Sequence, residues 1–208
     1  RIVFNSVREG SRDLYWKSTA GGEEELLLRS AESKTPSDWS SDGKFLLFHQ
    51  GNEREGVWDV WVLPFSHDRK PFPVVQSPFN ETHAQFSPNG RWIVYASDES
   101  GTRELYAPPF QPGQAASSSL PAKIQITNGG GTQPRWRRDA QELFYLDQEN
   151  RIVALPVKLE PKFEVGKPQP LFQVRGARPF QDILYSYDVT PDSQRFLFNV
   201  SLDGTISP

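Results

Sequence analysis

The 208-residue sequence contains no cysteine and no methionine. The absence of cysteine excludes disulfide bridges, thiolate nucleophiles and cysteine-based metal sites. Nowhere do about 18 apolar residues follow one another, as a membrane-spanning helix requires, and no basic-then-apolar signal segment opens the chain. Because the chain starts at Arg1 and has no methionine, we expect it to be part of a longer protein.

A strong charge of one sign is also missing. The formal net charge is -3 at pH 7 and the pI is about 5.7. A protein that binds nucleic acid or an anionic membrane usually presents a basic field, which this composition does not provide. We therefore expect neither nucleic acid nor a membrane surface as a partner of this segment.

Helix signals are scarce as well. The one helix-like piece, residues 22–28, is too short to hold a helix by itself. What the sequence has instead is 18 prolines, 15 glycines and 12% aromatic residues. This composition favours many short strands joined by turns and therefore predicts an all-β fold.

An internal repeat gives the organisation of these strands. An aromatic residue closes each apolar run, and the successive spacings are 44, 47, 50 and 53 residues: Phe4, Phe48, Tyr95, Tyr145 and Phe198. Two further positions stay in register with the last four of these aromatics. Six residues earlier lie Asp42, Asn89, Asp139 and Asp192, and nine residues earlier lie Trp39, Phe86, Trp136 and Val189. Three positions in register at this period indicate a repeat architecture.

Each repeat contains strands of the kind found in a stacked sheet. The Asp42-Gly43 and Asn89-Gly90 pairs favour tight turns between antiparallel strands. The runs that follow them, residues 45–48 and 92–95, are apolar throughout instead of alternating with polar residues. A strand that is apolar on both faces must be covered on both faces, so each sheet is expected to lie between two neighbours.

Four strands per unit, stacked face to face, predict a β-propeller of four-stranded antiparallel blades. The chain would hold about four and a half blades. The expected boundaries are the end of a blade at 1–30, full blades at 36–76, 83–127 and 132–174, and the start of a last blade at 183–208. An ordinary β-sandwich also has many short strands, but it gives no reason for positions in register at this period.

The segments "WSSDGKFLLF", "FSPNGRWIVYAS" and "VTPDSQRFLF" resemble the WD40-like (PD40) repeat of TolB-type propellers, over nearly the whole chain. Residues 129–172 and the last blade resemble the C-terminal extracytoplasmic propeller of acidobacterial membrane serine/threonine kinases. The resemblance implies a periplasmic or otherwise extracytoplasmic location in a bacterium. The repeat has no catalytic positions of its own.

The repeat is not uniform at its turns. Ala140 and Ser193 stand where the first two turns have glycine, and Arg137-Arg138 replaces the usual Ser-Pro. If residue 140 has a positive φ, its alanine is strained, and glycine there would be more stable.

Three other patterns are weak signals for chemistry. The Gly129-Gly130-Gly131 run leads into a strand and not a helix, so we interpret it as a loop between blades and not as a phosphate loop. Residues 135–138 (RWRR) resemble a nucleic-acid patch, but Trp136 belongs to the repeat and the surrounding chain is acidic. The three histidines, His49, His67 and His83, are far apart. We interpret His83, expected just before a first strand, as solvated or locally hydrogen-bonded.

A mixed-charge rim is the one candidate binding site. Loops between second and third strands of successive blades emerge on the same face of a propeller, and here they carry charges of both signs: Arg8, Glu9, Arg12, Glu53, Arg54, Glu55, Asp98, Glu99 and Arg103. The residues that we predict to bind a polar or protein ligand are Arg12, Arg54, Asp98, Glu99 and Arg103. A merely solvated rim is the alternative.

The repeat predicts a non-catalytic protein- or ligand-binding propeller without a cofactor or a metal. The resemblance implies that it is the sensor or scaffold region of a membrane serine/threonine kinase. Two alternatives remain open: the substrate-gating propeller of a peptidase resembling prolyl oligopeptidases, and a free periplasmic TolB-like partner-binding protein. An open propeller exposes sheet faces and edges, so we also expect the isolated chain to self-associate.

Overall fold

The computed structural model describes residues 1–66, 68–112, 122–175 and 184–199. His67 lies outside these residues. The described parts contain eighteen strands and no helix, and every strand pair is antiparallel. In those residues, therefore, no helix of a length and hydropathy suited to crossing a membrane is found.

The strands form five sheets that follow one another along the chain. The first sheet consists of β1 (Ile2–Glu9), β2 (Ser11–Lys17) and β3 (Glu25–Leu28). The second consists of β4 (Ser33–Trp39), β5 (Phe45–Asn52), β6 (Val57–Pro64) and β7 (Phe72–Val75). The third consists of β8 (Thr82–Phe86), β9 (Ile93–Ser97), β10 (Glu104–Ala107) and β11 (Ile124–Gln125). The fourth consists of β12 (Thr132–Trp136), β13 (Glu142–Leu146), β14 (Arg151–Lys158), β15 (Glu164–Val165) and β16 (Gln169–Gln173), and the fifth of β17 (Tyr187–Val189) and β18 (Phe196–Phe198).

The second strand of each full sheet contributes side chains to two separate cores, one on each face of the sheet. In β5, Leu47 packs into the core shared with the third sheet, whereas Leu46 and Phe48 pack into the core shared with the first. In β9, Tyr95 faces the second sheet and Val94 faces the fourth. The sheets are therefore stacked face to face as blades, and this stacking confirms the predicted β-propeller class.

The turn after each first strand has the same construction in four sheets. Gly43, Gly90, Ala140 and Ser193, here called the turn position, have φ values of 72°, 68°, 62° and 58°. The carboxylate or amide oxygen of the preceding Asp or Asn accepts a hydrogen bond from the backbone N–H two residues further on. The expected positive φ at residue 140 is confirmed.

The first strands β4, β8, β12 and β17 lie together around a common axis. Asp38 of β4 accepts a hydrogen bond from the Phe86 N–H of β8 at 2.8 Å. The Tyr187 hydroxyl of β17 donates to the Gln133 carbonyl of β12 at 2.9 Å. First strands end at the face that carries the turn positions, here called the turn face. The loops between second and third strands lie on the opposite face, here called the loop face.

Candidate functional site

The five charged residues predicted as a binding rim lie at the loop face, where most of them have partners within the chain. Arg12 Nε lies 3.1 Å from Glu53 Oε1, a contact that joins the first two sheets. Asp98 accepts from the Asn80 N–H at 2.9 Å, and Glu99 pairs with Lys123. Arg54 is exposed, and Arg103 is half-buried. Whether this rim binds a ligand stays a prediction.

A cavity of about 400 Å³ opens instead at the turn face, on the axis. One residue from each of four successive first strands lines it at the equivalent repeat position, here called the axial position: Asp38, Gln85, Arg135 and Asp188. The next residue of each strand forms the wall: Trp39, Phe86, Trp136 and Val189. Ser41, Pro88 and Arg138 lie at the edge. The cavity is therefore built by the repeat itself.

Arg135 is fixed in this cavity by several contacts. Its Nε donates to the Tyr187 carbonyl at 3.2 Å, and its guanidinium lies 3.6 Å from the centre of the Tyr185 ring. The amide of Gln85 donates to the Pro134 carbonyl and accepts from Arg135 Nη1 at 2.6 Å. Asp188 lies 3.5 Å from Arg135 Nε, and its side chain is 70% exposed. The guanidinium is thus oriented, while the Asp188 carboxylate still faces solvent.

Among the titratable side chains that line the cavity, Asp38 has a raised pKa. Burial raises its pKa to about 6, and the neighbouring Asp188 carboxylate acts in the same direction. The hydrogen bonds from the Phe86 and Trp39 N–H groups and the charge of Arg135 oppose that shift. A carboxyl group at this position changes its charge close to neutral pH, so the electrostatic field of the cavity depends on pH.

A β-bulge in each of three first strands, β4, β8 and β12, aims the axial residues. The pairing register shifts between Pro36 and Asp38 in β4, and equivalent shifts precede Gln85 and Arg135. Within two of these bulges, His83 has a φ of 55° and Gln133 a φ of 54°. Bulges of this kind re-aim side chains and are frequent beside binding sites. A positive φ at a residue other than glycine costs conformational energy, and it persists where the surrounding structure holds the residue in place.

His83 lies within β8 and is fully buried. The expectation of a solvated or locally hydrogen-bonded residue before the strand is therefore wrong, because its hydrogen-bond partners are distant in sequence. Its ring lies between His49, at 6.4 Å, and Tyr185, at 5.0 Å between centroids. Nε2 lies 3.2 Å from the Leu184 carbonyl, and Nδ1 lies 3.3 Å from the Thr132 hydroxyl. The sequence does show that His83 occupies the same repeat position as Gln133. It does not show that the ring meets Leu184, which is 101 residues away along the chain.

The glycine run is a loop between blades, as expected. The N–H groups of Gly129 and Gly130 both donate to Glu104 at 2.8 Å and so are already used. In the basic segment, Arg137 pairs with Asp139 and Glu142, and Arg138 reaches the edge of the cavity.

Three cavity residues were not predicted from the sequence, namely Asp38, Gln85 and Asp188. Each directly precedes one of the repeat positions in register, Trp39, Phe86 and Val189.

Clustered metal ligands are not seen in the described ranges: no three His, Asp or Glu side chains there converge as they would around a metal ion. The cavity brings together two carboxylates, Asp38 and Asp188, and places the Arg135 guanidinium beside them. A cation next to the carboxylates does not suit a divalent metal, so the cavity is better suited to polar organic groups.

No protein-family model matches the chain, and no curated protein matches its sequence. Solved structures do match it. TolB from Acinetobacter baumannii has a TM-score of 0.67 at 17% identity, over 92% of this chain and 44% of that protein. An oligogalacturonate lyase in complex with manganese has a TM-score of 0.61 at 15% identity, over 93% and 52%. A puromycin-hydrolyzing peptidase of Mycobacterium tuberculosis has a TM-score of 0.57 at 15% identity, over 83% and 31%.

The chain thus spans between about a third and about half of the length of these three proteins. At such identities the likeness establishes the fold and not an activity. The stacked antiparallel blades and the match to TolB together give the conclusion: the chain has the fold of a TolB-like β-propeller, of which it forms a part.

Proposed function

We propose that the chain is a non-catalytic binding module whose binding site is the cavity at the turn face. The observation that carries the proposal is that equivalent positions of four successive first strands line this one cavity. Its volume of about 400 Å³ is within the range of about 300–1,000 Å³ that ligand sites occupy. Repeat proteins generally bind through surfaces to which several repeats contribute.

The chemistry of the cavity suits a polar segment of a protein partner. Arg135 is held in one orientation, and Asp188 and Arg138 expose charges of opposite sign beside the aromatic wall. Such a mixture offers hydrogen bonds, ion pairs and apolar contact to a peptide loop. His49 and His83 contact backbone groups of Ala84 and Leu184, and His83 also contacts the Thr132 hydroxyl, so these contacts hold both rings within the core.

For the host protein, we propose the extracytoplasmic sensor region of a membrane serine/threonine kinase, on the strength of the repeat resemblance. The likeness to the M. tuberculosis peptidase supports the gating propeller of a peptidase as the second candidate, and the likeness to TolB supports a free periplasmic protein as the third. The flanking gene sequence separates them. A His-Arg-Asp catalytic loop and an apolar span of about 20 residues upstream indicate the kinase, and a Gly-x-Ser-x-Gly element downstream indicates the peptidase.

Photo-crosslinking in the bacterium that carries the protein tests the binding site. A benzoyl-phenylalanine is placed at Ser41 or Arg138, two exposed positions at the edge of the cavity. The control position is Glu55, which is exposed at the loop face. We expect the same crosslinked partner, of one defined mass, from Ser41 and Arg138 and no such product from Glu55.

A partner captured from Glu55 but from neither cavity position would place binding at the loop face, as the sequence predicted, and would contradict the proposed site. The absence of any crosslink from all three positions would contradict a binding role for this part of the propeller. An Arg135→Ala exchange adds a check, because it removes the oriented guanidinium and should abolish the crosslinks from Ser41 and Arg138.

A further inference from the structure

The junctions between the first four sheets share one arrangement. In each, an acid of the third strand pairs with the second residue after the aromatic that closes the second strand: Asp13, Asp59 and Glu104. In each, the linker to the next blade ends four positions before the axial position of that blade: Lys34, Glu81 and Gly131. The acid and the end of the linker are therefore equivalent positions in all three junctions.

Two of the three junctions give the acid a positive or donating partner. Lys34 is fully buried, and its Nζ contacts Asp13 at 3.3 Å. Glu104 accepts from the N–H groups of Gly129 and Gly130, both at 2.8 Å. A buried carboxylate is costly unless such partners complete its hydrogen bonds or balance its charge.

The second junction places another acid where the first has a lysine. Glu81 is fully buried, and its N–H donates at 2.7 Å to the carbonyl of Trp58, which directly precedes Asp59. Ser77 lies between the two acids. Its N–H donates to Asp59 Oδ1 at 3.3 Å, and its hydroxyl donates to Glu81 Oε1 at 2.6 Å. Two carboxyl groups are thus held by one serine inside the junction.

The third sheet does not neutralise a negative charge on Glu81. From β9, the Ser97 hydroxyl lies 3.3 Å from Oε1, and the Tyr95 hydroxyl is buried without a hydrogen-bond partner. Lys123, next to β11, is the cation that acts on Glu81, but its ammonium group pairs with Glu99.

The neighbouring loop does not neutralise it either. Glu81 Oε2 and Arg103 Nη1 are both shielded from solvent without a partner among the described residues, so they do not bond to each other. Asp98 is the acid that acts on Arg103, and Asp98 Oδ1 accepts from the Asn80 N–H at 2.9 Å. The side-chain oxygen of Asn80 is buried without a partner as well. An ionised Glu81 would therefore leave its second oxygen without a donor.

The titration of Glu81 follows from these surroundings. Burial raises its pKa to about 7, and the charge of Asp59 acts in the same direction, against the hydrogen bonds from Ser77 and Ser97 and the charge of Lys123. In an unfolded chain the pKa of a glutamate is about 4.3. The folded state thus binds this proton more tightly, so its stabilisation is complete below about pH 4.3 and is lost as the pH rises through 7.

We propose that the junction of the second and third sheets is a pH-sensitive joint, closed while Glu81 carries a proton and loosened when Glu81 and Asp59 are both ionised. Loss of the proton puts two like charges around Ser77, where the first junction has a buried ion pair. The linker of residues 76–81 then loses its hold on β6. This inference does not depend on the proposed binding cavity.

Carbon-13 NMR of the side-chain carboxyl groups measures the titration in the unaltered 208-residue chain. We expect one glutamate signal with a midpoint near pH 7, assigned to Glu81 by its loss in Glu81→Gln. Glu55→Gln, at an exposed loop, should leave that signal in place. A midpoint near pH 4.3 for Glu81 would overturn the proposal, and this measurement requires no variant to fold in order to do so.

Hydrogen exchange tests whether the titration opens the joint. The protection factors of the Ser77 and Glu81 amides should fall by at least about tenfold between pH 5 and pH 8. They should stay constant in Glu81→Gln, whose side-chain oxygen can still accept from Ser77. The Ile126 amide, which donates to the Leu105 carbonyl at the next junction, is the internal control and should not change. Constant protection in the unaltered chain, or an equal fall in Glu81→Gln, would contradict the joint.

Two further variants test whether the second acid is responsible. Glu81→Lys recreates the lysine–acid pair of the first junction, so Ser77 should be better protected at pH 8 than in the unaltered chain. Asp59→Asn removes one charge while its side-chain oxygen can still accept from the Ser77 N–H, and it should lower the midpoint of the Glu81 titration. An unchanged midpoint in Asp59→Asn would show that the two carboxyl groups do not interact and would refute a joint based on their repulsion.

Discussion

At residue 140 an alanine holds a backbone conformation that glycine occupies in the equivalent turns of the preceding blades. Its φ is 62°, against 72° for Gly43 and 68° for Gly90. Residues other than glycine are strained in this left-handed backbone conformation, because their Cβ atom approaches the following carbonyl oxygen. A Cβ built at Gly90 meets nothing within 4 Å, so the backbone conformation, and not crowding, decides the preference at this turn.

Ala140→Gly should therefore raise the free energy of unfolding by about 0.5–1 kcal/mol, and Gly90→Ala should lower it by a similar amount. Denaturant unfolding of both variants measures the two effects. Ser193→Gly, with a φ of 58° at the same position of the last sheet, is a second case. If Ala140→Gly proves neutral or destabilising, the turn is not strained.

Asp38 should give the stability of the chain a specific pH dependence. Its pKa is raised to about 6 in the folded protein, against about 3.9 in an unfolded chain. The folded state then binds the proton more tightly, so stability is lost as the pH rises from about 4 to 6. Asp38→Asn removes the titration while its amide oxygen can still accept from the Phe86 N–H.

We expect Asp38→Asn to be more stable than the unaltered chain at pH 7–8, by on the order of 1–2 kcal/mol, and to converge with it near pH 4. Unfolding measured between pH 4 and 8 checks this. Asp42→Asn is the control, because hydrogen bonds from Ser40 and Lys44 lower the pKa of that exposed carboxyl and so give the opposite sign. Parallel curves for Asp38→Asn and the unaltered chain would show that Asp38 does not titrate in this range.

At the scale of elements, an acid near the start of the third strand holds the loop to the next blade in the first three sheets. Asp13 bonds Arg29 and Lys34, and Asp59 accepts from the Ser77 N–H. Glu104 accepts from both Gly129 and Gly130 and from the Thr127 hydroxyl. The fourth sheet departs from this scheme, because Arg151 occupies the position and pairs with Asp147 within its own hairpin.

Glu104→Ala should destabilise the chain by about 2–4 kcal/mol, because it leaves buried donors of the loop unpaired. Glu104→Gln keeps one acceptor oxygen and should cost less. Glu55→Ala, at an exposed loop, should stay within about 0.5 kcal/mol of the unaltered chain. Hydrogen exchange at the Gly129 and Gly130 amides should accelerate in Glu104→Ala alone. Unchanged exchange there would mean that the carboxylate does not hold the loop.

The strands were predictable because their signals are local, whereas the cavity depends on how blades meet. The apolar runs and the turn position fixed the propeller class from sequence alone. The axial position carries Asp, Gln, Arg and Asp in turn, so no shared residue type identified it. The bulge at His83 and its contact with Leu184 arise only when β8 and the last sheet approach the axis. A site whose residues come from several blades therefore cannot be predicted from the sequence of one repeat alone.

At the scale of the whole molecule, four separate apolar clusters lie between neighbouring blades, but the outer sheets leave apolar surface uncovered. Leu171 and Phe172 of β16 are 47% and 42% exposed, and Leu197 of β18 is 76% exposed. Phe172 contacts the rings of Phe196 and Phe198 across the last two sheets. The β1 edge of the first sheet has no neighbouring strand in the described ranges. Apolar faces and free edges of this kind favour association with another chain.

The isolated 208-residue chain should consequently self-associate, and the exposed face of the last sheet should be responsible. Light scattering against concentration should show a mass above that of one chain, whereas Leu197→Lys should shift it toward the monomer because the charge opposes burial of that face. Glu55→Lys adds the same lysine at the loop face and should leave the association unchanged. A monomer with a cooperative melt across the whole concentration range would contradict self-association and would mean that these apolar surfaces are covered within one chain. Equal effects of the two lysine substitutions would assign the association to charge and not to the apolar face.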